Sequence, residues 1–426
     1  MPAFAIDTNT QAVLIEYMDD TYAKTIIQKR PFFDRINKID SSGLDTKVPL
    51  NIGYGGGTAG GQAGGFEIAL ANAMQGGAVH QAYQITPQVV FGISVLDNVQ
   101  ARFTNGPQSA VKALTDATQG CMEDAAQNLE YSIFGNGFGQ LATATAVVNT
   151  SGALWTLTLT DISEAIRFNP CPPGQTTGGN IIVMSASTAS ALDAGSAAVI
   201  GVNQLGAQIM ISVTGLTPIA GHIVGLQGML QGSSILSGFP GILAYCPPIA
   251  SRNAAGALTD TFQSVDRSVG GTGTGGWALN GIGKPITEGI NTLCSLMANF
   301  ATATPTSGYA NPVTIGKVAS ELKTFVRYNM QSVMEADVFF SGVTVMTGAG
   351  AIDILAEAAC PLKYVIVTKE SAWTFASPGN KPFAPSDLEG RLAIPSYDHN
   401  KTRFAITCQG YFYTNQPQAT GILTVA

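Results

Sequence analysis

Between Gly53 and Gly65, eight of thirteen residues are glycine: Gly-Tyr-Gly-Gly-Gly-Thr-Ala-Gly-Gly-Gln-Ala-Gly-Gly. Each glycine loses more backbone freedom on ordering than any other residue, so this run cannot hold a rigid shape by itself. Extended chain flanks it, with Lys47–Ile52 before it and, after Phe66–Gln84, a return through Val89–Val95. Two arms with a loose crest read as a long hairpin projecting from a body. The crest and hinge residues are Gly55, Gly56, Gly57, Gly60, Gly61, Gly64 and Gly65. The apolar residues Phe66, Ile68, Leu70, Val79 and Tyr83 then need a neighbour to pack on, which makes them candidate inter-subunit contacts.

Charge points the same way. Only 12% of the 426 residues are charged, about half the usual share of roughly 25%. A chain this long buries a large core and divides into a few domains. With so few charges its remaining apolar surface needs cover, and large subunit interfaces supply it, because obligate interfaces resemble a domain core cut in half. Mean hydropathy is +0.21, yet no stretch reaches the roughly 20 apolar residues a membrane helix needs. The most apolar region, Ile219–Ile249, is broken by Gly, Ser, Gln and Pro. Met1–Thr8 lacks the basic and apolar regions of a signal peptide. The net charge of −7, with no Lys/Arg cluster, argues against tight nucleic-acid binding through phosphates. Cys121, Cys171, Cys246, Cys294, Cys360 and Cys408 lie far apart and read as reduced, buried small hydrophobes of a cytoplasmic protein.

Periodicity places the elements. Residues 10–30 read as a helix stopped by Pro31. The longest helical signal is Pro107–Phe134, with Val111, Leu114, Thr118, Cys121, Ala125, Leu129 and Ile133 on one stripe. It would run roughly 42 Å and end at the glycines Gly135, Gly137 and Gly139. A β-rich block follows at about 153–237, in which Trp155, Leu157 and Leu159 alternate with threonines. Helices are expected at Pro285–Phe300 and Pro312–Met330, the second with Asn311 as N-cap. Val343–Thr347, Lys363–Thr368 and Thr402–Thr414 read as late strands.

The search for catalytic patterns returns little. His80, His222 and His399 form no metal or triad spacing. Gly55/Gly57/Gly60 and Gly271/Gly273/Gly276 match G-x-G-x-x-G, but neither opens a helix as a dinucleotide fingerprint must, and both read as flexible loops. Ser320-Glu321-Leu322-Lys323 matches S-x-x-K within an amphipathic helix, where Lys317, Glu321 and Lys323 read as its solvated face. Asp398-His399 sits in a polar loop, and Glu123-Asp124 marks a wet helix side or a subunit contact. The expectation is no enzyme, no cofactor and no metal.

The order of these elements resembles the tailed-bacteriophage major capsid protein family, whose fold (the Johnson fold) is shared with encapsulins. Five strings carry the resemblance: Asn128–Gly137 at a helix end, Gly238–Leu243 leaving an inserted domain, and Phe262–Ser268 as F-x-x-V-D-R-S, with Ala310-Asn311-Pro312 at a helix start and Cys360-Pro361 before Tyr364-Val365-Ile366. The resemblance implies an α+β fold. Its parts would be an N-terminal arm (1–44), an E-loop hairpin (45–95) and a P-domain with spine helix (96–152). An added β-rich subdomain (153–237), an A-domain (238–370) and a return to P-domain strands (371–426) complete it. It also implies hexamers and pentamers in an icosahedral head, with a portal protein and a cement protein as partners. The head would enclose double-stranded DNA without specific binding or membrane contact, assembled in the host bacterial cytoplasm. The arm begins near Met1 without a long charged segment, so a separate scaffolding protein is expected. Val48–Gln100 contains no lysine, so an E-loop lysine crosslink is not expected and the shell should be non-covalent. An encapsulin-like compartment is the alternative, followed by a β-rich surface protein or hydrolase.

Overall fold

A computed structural model describes residues 31–41, 46–53, 59, 65–75, 79–97, 122–123, 125–168, 181–185, 195–227, 230, 239–254, 256–270, 272–299, 304–323, 342–380, 383–385, 393–395 and 401–425. The expected helix at 10–30, most of the glycine crest, His399 and the Val111–Cys121 part of the helical stripe lie outside them.

Pro31 opens a helix instead of only ending one: α1 spans Pro31–Arg35. A first helical position has no intrahelical use for the N–H that proline lacks. α1 delivers Phe32 and Phe33 into the core, and β1 (Asn37–Asp40) follows. Next come β2 (Thr46–Gly53), α2 (Gly65–Gln75), β3 (Val79–Ile85) and β4 (Gln88–Asp97). Residues 125–133 form α3, with Ala125, Leu129 and Ile133 buried as their helical spacing requires.

The chain then winds a closed antiparallel barrel. Its elements are β5 (Gln140–Ser151), β6 (Leu154–Leu159), the short α4 (Ile162–Ala165), β7 (Ile181–Ser185), β8 (Ser196–Asn203), β9 (Gln208–Thr214) and β10 (Ile223–Leu226). The strand order is β10-β5-β6-β9-β8-β7, with β7 pairing β10 to close it. The barrel thus begins at Gln140, earlier than the expected boundary at 153, because the Leu-Ala-Thr-Ala-Thr-Ala run is its first strand. Alanine is a poor strand former on its own, but Ala142 and Ala144 are buried in the hydrophobic core.

After the barrel come α5 (Ile242–Tyr245), the hairpin β11 (Thr261–Phe262) and β12 (Val265–Asp266), and two helical turns, α6 (Arg267–Gly270) and α7 (Thr272–Gly275). They lead to β13 (Trp277–Asn280), α8 (Ile286–Ala298), β14 (Ser307–Ala310), α9 (Pro312–Lys323), β15 (Gly342–Thr347), β16 (Gly350–Ala356) and β17 (Tyr364–Thr368). The remaining strands are β18 (Trp373–Ser377), β19 (Phe383–Pro385), β20 (Ala393–Pro395), β21 (Lys401–Thr414) and β22 (Thr420–Thr424).

Two sheets receive these strands. In one, β21 is the hub: β18 and β4 pair with it, β19 and β20 pair with it, and β1 runs parallel to β18. The other has the order β13-β22-β17-β14-β16-β15, and α8 and α9 pack on it through Ile290, Leu293, Met297, Ile315 and Val318. β18 to β21 thus share one sheet, whereas β22 joins the other. Its apolar Thr-Gly-Ile-Leu segment is buried between β13 and β17. Asn311 caps α9, its Oδ1 accepting from the Val313 N–H at 3.1 Å.

Phe32 ties the parts together. Its ring lies 5.4 Å from that of Phe134 at the end of α3, 5.0 Å from Tyr309 on β14 and 6.4 Å from Trp373 on β18. Trp373 in turn stacks on Phe412 of β21 at 4.9 Å. Each such pair adds about 0.5–1.5 kcal/mol beyond the area it buries.

Candidate assembly surfaces

The hairpin of the glycine run is β2–β3, with Thr46 opposite Ile85 and Leu50 opposite Gln81. β4 was expected to be its returning arm, but instead pairs with β21 over ten residues, from Gln88↔Gly410 to Asp97↔Lys401. The hairpin root is part of the core, since Val48, Leu50, Tyr83 and Ile85 are all buried. Tyr83 is therefore not a contact for a neighbouring subunit. Its ring packs edge-on against Tyr245 and Phe262 (5.2 and 5.9 Å), and its hydroxyl donates to the Thr274 carbonyl at 3.0 Å. The same enclosure pushes its phenol well above the ordinary tyrosine range, with burial as the largest cause. Gln84 N–H also donates to the Gln263 carbonyl at 3.0 Å. Gln263 and Ser264 form the tight turn of β11–β12 with φ of 48° and 67°, and the Tyr245 hydroxyl donates to Gln263 at 3.1 Å, holding that turn in place.

Arg267 backs this clamp. It is 4% exposed, donates to both carboxylate oxygens of Asp260 and to the Ala244 carbonyl, and lies 4.7 Å over the Phe262 ring. The segment ending at Gly276, expected as a flexible loop, is a packed turn. Thr274 is buried, and Arg252 donates to the carbonyls of Gly275 (2.6 Å) and Gly276 (3.2 Å). Its glycine pattern serves close packing: a Cβ on Gly276 would stand 2.6 Å from Cys246 Sγ.

Beyond the root the picture reverses. Gly65 is buried at the start of α2, but Phe66 is 80% exposed, Ile68 53% and Leu70 50%. Of the other candidates, Val79 pairs its backbone with Gly53, and its side chain lies outside the described residues. Gly55, Gly56, Gly57, Gly60, Gly61 and Gly64 also lie outside them. α2 was not expected, although Ile-Ala-Leu-Ala-Asn-Ala-Met is rich in helix formers. A second apolar face escaped the sequence reading altogether: Val89, Phe91 and Ile93 of β4 are exposed, while Val90 between them is buried. Their alternation carried the signal, but only the pairing with β21 shows which side is open.

Three part-buried charged side chains elsewhere tie backbone segments together. Glu321, expected on a solvated face, accepts from the N–H groups of Ile286 (3.0 Å) and Thr287 (3.2 Å), and so caps the N-terminus of α8. At the barrel's junction with the body, Glu164 accepts from the N–H groups of Thr143 (3.3 Å) and Thr160 (3.0 Å). Burial pushes its carboxyl above the usual range. Nearby, Arg167 donates to the Leu141 carbonyl at 2.8 Å and covers the Tyr131 ring of α3. Among the described residues, no three His, Cys, Asp or Glu side chains group as a metal site. Nor is any helix there long and apolar enough to cross a membrane.

No protein-family model matches the chain, and no curated protein matches it in sequence. Among solved structures, the cyanophage A-1(L) capsid asymmetric unit aligns with 93% of this chain and 92% of that one. The TM-score is 0.51 at 10% identity. The fold is that of a phage capsid protein. The capsid of an empty GTA particle aligns over 93% of this chain and 96% of that chain, at 9% identity and a TM-score of 0.44. At such identities the capsid fold carries the backbone plan but no side-chain roles, so those rest on this chain's own geometry. Within the capsid fold that geometry is a clamped hairpin root, a helix standing clear of its own subunit, and an open apolar strand face.

Proposed function

We propose that this chain is a major capsid protein, which self-assembles into the icosahedral head that encloses phage double-stranded DNA. One observation carries the reading: a chain with a capsid fold holds α2 clear of its own core with Phe66, Ile68 and Leu70 exposed. Exposed apolar residues on a short, unsupported helix favour a partner. In this reading residues 1–44 are the arm, 46–85 the E-loop, and α3 with the β21 sheet the P-domain. α8, α9 and their sheet are the A-domain, and the barrel is an added subdomain. The clamp around Tyr83 gives the E-loop a rigid root, while the glycine run lets its tip meet neighbours at the different angles of hexamers and pentamers. Each subunit touches several others, and weak contacts combine by avidity. Separate scaffolding, portal and cement proteins complete the proposal, with assembly in the host cytoplasm.

The test is electron microscopy of the full chain co-expressed with a scaffolding protein. Hollow closed particles are expected, and a stable monomer alone would overturn the reading. Boiling those particles in detergent should release monomers, because Val48–Gln100 has no lysine for a crosslink. A covalent ladder on the gel would overturn the non-covalent shell.

A further inference from the structure

Where the barrel meets the body, a cavity of about 290 Å³ opens to the surface. The turn after α3 lines it with Asn136, the barrel strands and their ends with Thr143 and Thr160, and the α4 segment with Ser163, Glu164 and Arg167. The body closes the other side with Leu243 of α5, Pro248 and Tyr364 of β17. Ser251 and Lys363, both exposed, form the rim. Small-molecule sites begin at about 300 Å³, so the space suits one compact molecule.

Two donors in the lining have nothing to donate to. Ser163 is 8% exposed, and its Oγ and the Nε–H of Arg167 are buried with no hydrogen-bond partner among the described residues. Four positions apart, they fall on one side of a helical turn. A buried donor left unmade costs free energy, which an occupant offering acceptors would recover. Glu164 offers the converse. Both of its backbone hydrogen bonds fall on Oε2, so Oε1 can still accept.

The charges of the lining balance. Asp161 and Glu164 stand against Arg167 and Lys363, with Lys363 Nζ 3.6 Å from Asp161 Oδ2. A bound ion of either sign would upset that balance, whereas a hydroxyl group is neutral and both donates and accepts. Hydroxyls of one ligand can accept from Ser163 and Arg167 and donate to Glu164. Tyr364, Leu243 and Pro248 supply apolar surface for the C–H face of a ring. We propose that this cavity binds a neutral polyhydroxylated molecule of monosaccharide size, anchored by Ser163, Glu164 and Arg167. A container for DNA requires no such site, so the inference does not rest on the shell-subunit reading.

The test is saturation-transfer NMR on the full chain, with glucose, galactose, mannose, N-acetylglucosamine and inositol as probes. At least one should receive saturation from the protein, and acetate and spermidine should receive none. Ser163→Ala should weaken the binding about fivefold or more, the loss of one hydrogen bond. Ser251→Trp places a large side chain at the exposed rim, away from the core, and should abolish the signal while the thermal midpoint stays at the parent value. If that midpoint falls, Ser251→Tyr replaces it as the blocking variant. Saturation of none of the five probes overturns the proposal and leaves the cavity to water. A signal that survives both Ser163→Ala and the rim block places the binding elsewhere and also overturns it. Binding of acetate or spermidine in preference to the sugars overturns the neutral class of ligand.

Discussion

Gly241 sits where α5 meets the end of α3. A Cβ there would stand 2.3 Å from the Ser132 carbonyl oxygen, 2.4 Å from that of Ile133 and 2.6 Å from that of Gly135. Its φ of −85° suits any residue, so the demand is for space alone. Gly241→Ala should destabilise the subunit by about 1–3 kcal/mol, the usual cost of overpacking. A lowered thermal midpoint would register this, and an unchanged one would mean that α5 slides away freely. Arg267 poses the opposite problem, because it is a buried cation whose partner Asp260 is half-exposed. Asp260→Ala should cost about 1–3 kcal/mol in urea unfolding, below the range for a fully buried pair because water screens the carboxylate. Wild-type stability in that variant would show that the Ala244 carbonyl and the Phe262 face suffice.

At the level of elements, support is uneven. α8 has its first turn capped by Glu321 and one face buried on a sheet. In α2, seven of the eight residues 66–73 are exposed. Local stability follows buried contacts, so amide exchange should separate the two helices. In the free subunit, α2 amides should exchange far faster than those of α8. In assembled particles, α2 should gain protection of about a hundredfold or more. Equal exchange of α2 in both states would leave assembly without a role in ordering it.

At the scale of the whole molecule, the four thiols among the described residues lie inside. Cys246, Cys360 and Cys408 lie in the larger core and Cys294 in the core of the second sheet, all of them reduced. Burial pushes Cys246 and Cys294 up to about 12 and the other two higher still. The unfolded chain gives up a thiol proton near pH ~8.5, so above that pH the folded state holds protons that the unfolded state has lost. Stability from this source is complete below pH ~8.5 and is lost as pH rises towards about 12, by up to about 1.4 kcal/mol per pH unit for each thiol. The urea midpoint should therefore fall steadily from pH 8 to pH 10.5. A flat profile across that window would contradict the burial of these thiols.

What was legible in the sequence by itself was whatever rests on local chemistry. The buried stripe of α3, the cap at Asn311 and the late strands all follow from periodicity and turn residues, which act over a few positions. The tertiary structure alone decided which segments meet. β4 reads as a strand, yet its partner lies some three hundred residues away in β21. β22 joins a different sheet from its neighbour β21, and the alanines of β5 count as strand only because a barrel closes around them. Tyr83 and Leu70 look alike as apolar residues after a glycine run, but one is clamped at the hairpin root and the other stands beyond its tip. Hydrophobicity states that a residue needs cover; only the path of the chain settles whether its own subunit supplies it.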